Sequence, residues 1–539
     1  MRSPEGYDLL IRGCRIIDGS GKNAFCGEVG VSGGRIAKVG KELGGEARQV
    51  ITSPGSVICP GFIDSHTHDD FYLLFHPDGR AKAMQGVTTV IVGNCGISAA
   101  PGVPEHLEEQ KGLLSLIGSG HIPGGDLEPM TFGSYLSLLE KTGVGVNVAC
   151  LVGHSTIRIA AMGADNRKPE PEEMHKMRSL VRKAMDEGAF GISSGLIYPP
   201  GVYADTHELI ELSREAALFN GIYATHLRSE ADMVAESVAE ALEIGRKSGI
   251  SVVISHHKVS GRSNWGRSRV TLGMIENERS RGGLVAADQY PYAASCTFLS
   301  IILPPEIQTG GAAMLCRKLK DKTLREYARN RIYGHTDGPR WDNLIEAIGY
   351  ERIVIATSPS RPDCVGMSIL GIADSEGTDP LDVIFGLLSS DNGVTGAVYH
   401  SMHEDDVAAI MAKPYVMIGS DGIPAFSEND KVHPRFFGTF PRVLGHFVRQ
   451  LGVLSMEQAI QKMTSLPADI YGLKTKGVIK EGMDADLVIF DPETIIDRAT
   501  FENPSTPPDG IQKVIIGGVV AVDNGVMTGR SNAGVLRRG

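Results

Sequence analysis

The sequence predicts an α/β protein: a (β/α)8, TIM-like barrel, joined to a small β-sandwich formed from both termini, with an inserted segment over the barrel mouth. Three observations carry this expectation. The middle of the chain alternates short apolar strands with amphipathic helical stretches at 172–187, 207–219 and 230–247, the pattern of βα units around a parallel sheet. Both ends instead hold short strands parted by glycine turns, such as Leu9-Leu10-Ile11-Arg12-Gly13 and Ala485-Asp486-Leu487-Val488-Ile489-Phe490. Residue types that bind metal ions recur where the central strands end, which is where barrels of this kind keep their chemistry.

The elements follow in order. Strands at 9–13, 15–19, 27–31 and 35–39 make an antiparallel unit, and those at 485–490 and 513–522 share its texture, so 1–57 and 475–539 are read as one split sandwich. The barrel takes 58–474. Its strands are expected at 57–68, 88–96, 146–154, 190–195, 222–228, 251–258, 284–292 and 415–422. A further candidate at 396–400 and the long stretch after Tyr292 leave the seventh strand open, and about 295–401 is read as an insertion over the mouth.

Composition narrows the function. At 539 residues and 42% hydrophobic the chain can bury a large core plus a smaller unit. A net charge of -11, with no basic cluster, argues against nucleic acid. The N-terminus lacks the apolar core of a signal peptide and no apolar run approaches the ~18 residues of a membrane span, so the expected setting is cytoplasmic, with no membrane partner. Eight cysteines form no Cys-x-x-Cys pair, as expected of buried thiols in a reducing compartment, Cys95 being the candidate exception.

His66-Thr67-His68 closes the first strand, and side chains at i and i+2 of a strand leave from one face, so the two imidazoles converge. Cys95 ends the second strand, His226 the fifth, His256 or His257 the sixth and Asp421 the eighth. Alternation places His256 with Lys258 on the inner face and sends His257 outward against a helix. Imidazole, thiolate and carboxylate suit zinc and similar divalent ions. Such an ion lowers the pKa of bound water to about 7. Asp421 beside that water can take its proton and later pass it to a leaving amine, the two transfers that amide hydrolysis needs.

These residues, in this order, resemble the amidohydrolase superfamily and, more narrowly, its N-acyl-D-amino-acid deacylase (D-aminoacylase) branch. The general likeness lies in Pro60-Gly61-Phe62-Ile63-Asp64-Ser65-His66-Thr67-His68, the later strand-end histidines, Asp421 and the split sandwich. The specific likeness lies in Gly93-Asn94-Cys95-Gly96, where this branch uses a cysteine in place of a bridging carboxylated lysine. It extends to Gly195-Leu196-Ile197-Tyr198-Pro199-Pro200-Gly201, Ser255-His256-His257-Lys258, Asp288-Gln289-Tyr290-Pro291-Tyr292 and His433-Pro434-Arg435. The resemblance implies one tightly bound Zn2+ on Cys95, His226 and His256, and a weaker second site on His66, His68 and Asp421, with Cys95 able to bridge. It implies Asp421 as the acid/base, Lys258, Tyr290 and Arg435 as the holders of the substrate carboxylate, and Tyr198 near the scissile carbonyl. The substrate is then a small N-acyl amino acid.

One departure stands out: Cys296 replaces the branch's usual serine, and a thiol is a far weaker hydrogen-bond donor. Two other readings compete. One is a cyclic-amide hydrolase of the dihydroorotase or hydantoinase type, against which stand Cys95 and the Lys258/Arg435 pair. The other is a non-catalytic scaffold on the same fold, against which stands the complete ligand set. The sequence leaves oligomeric state, side-chain preference and acyl group open.

Overall fold

The computed structural model describes residues 6–117, 128–425 and 430–539, so the first five residues of the expected sandwich lie outside it. Strands Gly6–Arg12, Glu28–Ser32, Arg35–Gly40 and Glu46–Thr52 form one sheet. A seven-stranded sheet faces it, taking Arg15–Ile16, Phe25–Cys26 and Val57–Pro60 from the N-terminal part and Leu487–Phe490, Ile511–Ile516, Val519–Asp523 and Val526–Met527 from the C-terminal part. Alternating apolar residues of both, including Leu9, Ile11, Val29, Leu487, Ile489 and Ile515, are buried between them.

Among the described residues eight parallel strands make the barrel: Phe62–Asp64, Val87–Val92, Asn147–Cys150 continued at Val152–Gly153, Gly191–Gly195, Ile222–His226, Ser251–Ile254, Val285–Gln289 and Val416–Ile418. Closure between the last strand and the first runs through the loop ends, where His68 N donates to Gly422 O (3.0 Å) and Asp421 N to His66 O (2.7 Å). Ile63, Ile91, Ala149, Ala224, Val253, Ala286 and Met417 fill the interior, so this is a packed core and not a pore.

The structure departs from the sequence reading in four places. The expected strand 57–68 breaks at Gly61: Val57–Pro60 pairs antiparallel with Leu487–Phe490 in the sandwich, whereas Phe62–Asp64 pairs with Val87–Val92. A Cβ at Gly61 would lie 2.1 Å from Thr88 Oγ1, so only glycine passes this crossing point. The sixth strand ends at Ile254, before His256, because His256 takes a positive φ of 35°. The helix expected from Glu230 starts at Val234, which leaves Glu230 in a loop at the barrel mouth. The chain's last residues leave the sandwich and cross beneath the barrel, where Leu536 N donates to Val148 O (2.7 Å) and Arg538 to Phe219 O (3.1 Å).

Val285–Gln289 is the seventh strand. Gly396–Tyr399 instead lies at the centre of a three-stranded antiparallel sheet with Ser295–Phe298 and Ile353–Thr357, inside the insertion. This segment has its own apolar core, built on Leu299, Ile302, Ile332, Ile353, Phe385 and Leu388. No helix among the described residues is long and apolar enough to cross a membrane.

Candidate metal centre

The ends of five of the eight barrel strands deliver the site. Cys95 is its hub: Sγ lies 3.3 Å from His66 Nε2, 3.4 Å from His256 Nε2 and 3.7 Å from His226 Nδ1. Asp421 Oδ1 lies 3.5 Å from His66 Nε2 and 3.3 Å from His68 Nε2, on the other side of the His66 ring nitrogen. Ligand atoms of His66, Cys95, His256 and Asp421 all fall within 4.8 Å of one another. A tetrahedral zinc with bonds of about 2.3 Å to sulfur and about 2.0 Å to nitrogen sets those atoms about 3.5 Å apart, so the donor spacing fits such an ion.

The backbone is bent to reach this arrangement. Cys95, His256 and Asp421 have φ of 52°, 35° and 48°, a region that costs a non-glycine residue about 1–3 kcal/mol and is kept only where the surroundings impose it. Buried ion pairs impose it here. Lys82 Nζ donates to Asp64 (2.9 Å), Thr67 (2.9 Å) and Ser420 (3.0 Å), and Asp64 accepts from Ser420 N (2.8 Å), which ties the first strand's end to the eighth's. Asp288 Oδ1 accepts from His256 N (2.6 Å) and lies 3.4 Å from His66 Nδ1, so one carboxylate supports two of the imidazole-bearing turns.

The charges suit a cation. Burial pushes the Cys95 thiol up, but His66, His256 and His226 around it bring it well below its ordinary value, which favours the thiolate form. Burial likewise raises Asp421, yet the Arg435 guanidinium and the His256 and His68 rings bring it well below the usual carboxylate range. Burial opposes the charge on His68, but its hydrogen bonds with Asp421 and Cys95 lift its pKa to about 9.

A cavity of 330 Å³ opens over Cys95, His68, His226 and Asp421, walled by the insertion through Cys296, Phe298, Ile301 and Trp341. Tyr198 is on its wall, with its hydroxyl 2.9 Å from Thr297 Oγ1 and its ring edge-on to His226 at 5.0 Å. Lys258 also lines it. Tyr290 and Arg435 are buried off the wall, 2% and 1% exposed. Both cations do gather over the Tyr290 ring, Arg435 at 4.5 Å and Lys258 at 5.6 Å, and the Tyr290 hydroxyl has no hydrogen-bond partner among the described residues.

Each cation already has an anion, which the sequence reading did not foresee. Arg435 lies 2.9 Å from Asp421 Oδ2 and donates to Cys296 O (3.0 Å), and Lys258 donates to Glu230 Oε1 (2.6 Å). Cys296 thus gives Arg435 a hydrogen-bond acceptor through its backbone carbonyl. His257 turns outward and bonds Thr271 Oγ1 (2.9 Å) on the helix Ser268–Ser280. Asp64, Lys82, Glu230 and Asp288 went unread in the sequence. Of these Asp64 and Asp288, each inside a family-like run, carried a local signal.

Comparison with known proteins follows the same lines. The family model described as "Amidohydrolase family" matches residues 49–263 and 372–522, and the stretch between the two matches holds most of the insertion. The chain is 39% identical to the D-aminoacylase of Alcaligenes xylosoxydans xylosoxydans, over 99% of this chain and 98% of that protein. It is 37% identical to the N-acyl-D-aspartate deacylase of the same organism, over 99% and 95%. Among solved structures, the N-acyl-D-glutamate deacylase from Bordetella bronchiseptica, complexed with zinc and a phosphonate mimic of the reaction's tetrahedral intermediate, aligns with a TM-score of 0.82 at 36% identity, covering 99% of this chain and 100% of that one.

Proposed function

The chain belongs to the amidohydrolase family, and from that premise we propose that it hydrolyses the amide bond of N-acyl-D-amino acids, giving a carboxylate and the free D-amino acid, with zinc as its cofactor. It is a metal-dependent hydrolase of linear amide C–N bonds, acting on a small molecule. The observation that carries this reading is the Cys95 sulfur packed against three imidazoles at the floor of a cavity, in a chain similar over its whole length to deacylases of D-amino acids.

In this proposal Cys95, His226 and His256 hold the tighter zinc, and His66, His68 and Asp421 offer a second, weaker site. Bound there, zinc supplies Lewis acidity, polarising the amide carbonyl and making a water acidic near neutral pH. The chain supplies the rest. Asp421 Oδ1, facing the floor beside His66 and His68, takes the proton of the attacking water and returns it to the nitrogen that leaves. Tyr198 lies on the wall with a hydroxyl able to turn toward the substrate carbonyl. Lys258 reaches the wall with one of its three donors used by Glu230, and another is assigned to the substrate carboxylate. Arg435 and Tyr290 are assigned to the same carboxylate, which would draw Arg435 from Asp421.

A cytoplasmic setting belongs to the same proposal, since all eight cysteines are free thiols and a reducing compartment keeps them so. A turnover panel of N-acetyl-D- and N-acetyl-L-amino acids, run on protein whose zinc has been counted, tests the reaction. Free amino acid is expected from the D series alone. No turnover of any D substrate by zinc-loaded protein, or equal turnover of the L series, would overturn the reading.

A further inference from the structure

We propose that Glu230 is the positioning residue that sets the ring tautomers of His226 and His256, and that it does so against Lys258, a competing donor held at the same place. The inference rests on the reading that Cys95, His226 and His256 form the tighter metal site. His226 turns Nδ1 toward Cys95 and Nε2 toward Glu230 Oε2, at 3.7 Å each. His256 is mounted the other way round, with Nε2 toward Cys95 (3.4 Å) and Nδ1 toward Glu230 Oε1 (3.1 Å). A neutral imidazole has one N–H and one lone pair, so a ring that gives its lone pair to a cation beside Cys95 must carry its proton on the far nitrogen. Both far nitrogens then need an acceptor: Glu230 Oε1 stands within hydrogen-bonding reach of His256 Nδ1, and Oε2 faces His226 Nε2 from 3.7 Å, an ion-pair distance longer than a direct hydrogen bond. Such outer carboxylates orient ligand histidines and raise their basicity.

Lys258 makes the choice consequential. Its Nζ lies 2.7 Å from His256 Nδ1, and an ammonium has three donors and no acceptor. If it donates to Nδ1, the ring proton moves to Nε2 and the lone pair facing Cys95 is lost. Glu230 Oε1 prevents this by accepting from Lys258 (2.6 Å) as well as from His256 Nδ1. His226, Glu230 and His256 by themselves form a second cluster with the spacing of a cation site, and the ammonium of Lys258 lies against two of its members, Glu230 and His256. Glu230 is held in turn by the insertion. Asp342 accepts from Ser229 Oγ (2.5 Å) and Glu230 N (2.8 Å), which keeps the loop that carries Glu230 over the histidines.

Zinc affinity, measured by competition with a chromogenic chelator on the full chain, is the test, with circular dichroism as the check on folding. Glu230→Ala is expected to weaken binding about 10–100-fold. Adding Lys258→Met to Glu230→Ala removes the competing donor and is expected to recover about tenfold of that loss, which a merely structural role for Glu230 would not produce. Glu230→Gln keeps the shape but puts a donor where one acceptor stood, so it should bind about tenfold more weakly than wild type, and it carries the test if the alanine variant does not fold. Wild-type affinity in Glu230→Gln, or a folded double variant no tighter than Glu230→Ala, overturns the proposal. Cys95→Ala separates the two readings: if it releases zinc while the Glu230 variants hold it, only the role of Glu230 fails, and if it holds zinc too, the assignment of the site fails.

Discussion

In the proposed reaction Asp421 does two things at one position, moving a proton and staying charged beside His66, His68 and Arg435. Asp421→Asn keeps the shape and removes the proton carrier, so kcat is expected to fall about 10²–10⁴-fold with the circular dichroism spectrum unchanged, and ordinary turnover would exclude the acid/base role. The same substitution leaves Arg435 without its buried partner, so thermal unfolding should shift downward as well. His68 gives a pH dependence with a defined sign. Its pKa stands near 9, and a proton on Nε2 excludes a cation from that atom. Affinity of the second site should therefore rise with pH between 7 and 9, by up to about tenfold per unit from His68, and His66, raised by Asp288 and Cys95 against its burial, acts in the same direction. Zinc titration calorimetry at pH 7 and pH 9 checks this, and equal second-site affinity at both would show that His68 is not a ligand. The residues the sequence displayed are those whose own neighbours frame them, such as His66 and His68 at i and i+2. Glu230 offered no such frame: His226 stands four residues before it, but His256 and Lys258 converge on it only after the next βα unit has closed.

Between residue and fold lie the strand ends, where two backbones pass at glycine contact. A Cβ on Gly93 would lie 2.1 Å from Leu151 O, and one on Gly153 would lie 2.4 Å from Gly96 O, so the ends of the second and third strands cross without room for a side chain. Gly93 also has a φ of 79°. Gly93→Ala is expected to cost about 1–3 kcal/mol through overpacking and to weaken zinc binding, since Cys95 lies two residues further on. A urea midpoint and a zinc count report the two effects, and a variant unchanged in both would show that the crossing is looser than its geometry. Periodicity found the eight strands to within a few residues because each is apolar and bounded by turns. It missed the break at Gly61, since both halves of 57–68 are equally apolar and only the approach of Thr88 separates them.

For the whole molecule, the barrel is a frame closed from three directions. The sandwich flanks it, the insertion roofs the cavity with a core of its own, and the C-terminal strap runs beneath. Arg538 joins that strap to the carbonyls of Phe219, Phe190 and Tyr471, each on a different barrel element. Removing residues 530–539 should lower the melting temperature by a few degrees while zinc content holds, because the strap is at the end of the barrel away from the metal centre. A scan unchanged in midpoint would show that the strap adds no stability. By itself the sequence determined the barrel, the split sandwich and which residue types stand at the strand ends, because those follow from periodicity and from spacing along one strand. Only the tertiary structure decided which imidazole nitrogen faces Cys95, that Asp64, Asp288 and Glu230 lie against the strand-end turns and imidazoles of the site, and that Lys258 and Arg435 already carry counter-charges. These are contacts between distant segments, set by how eight strands close on one another, and no local pattern in the chain encodes them.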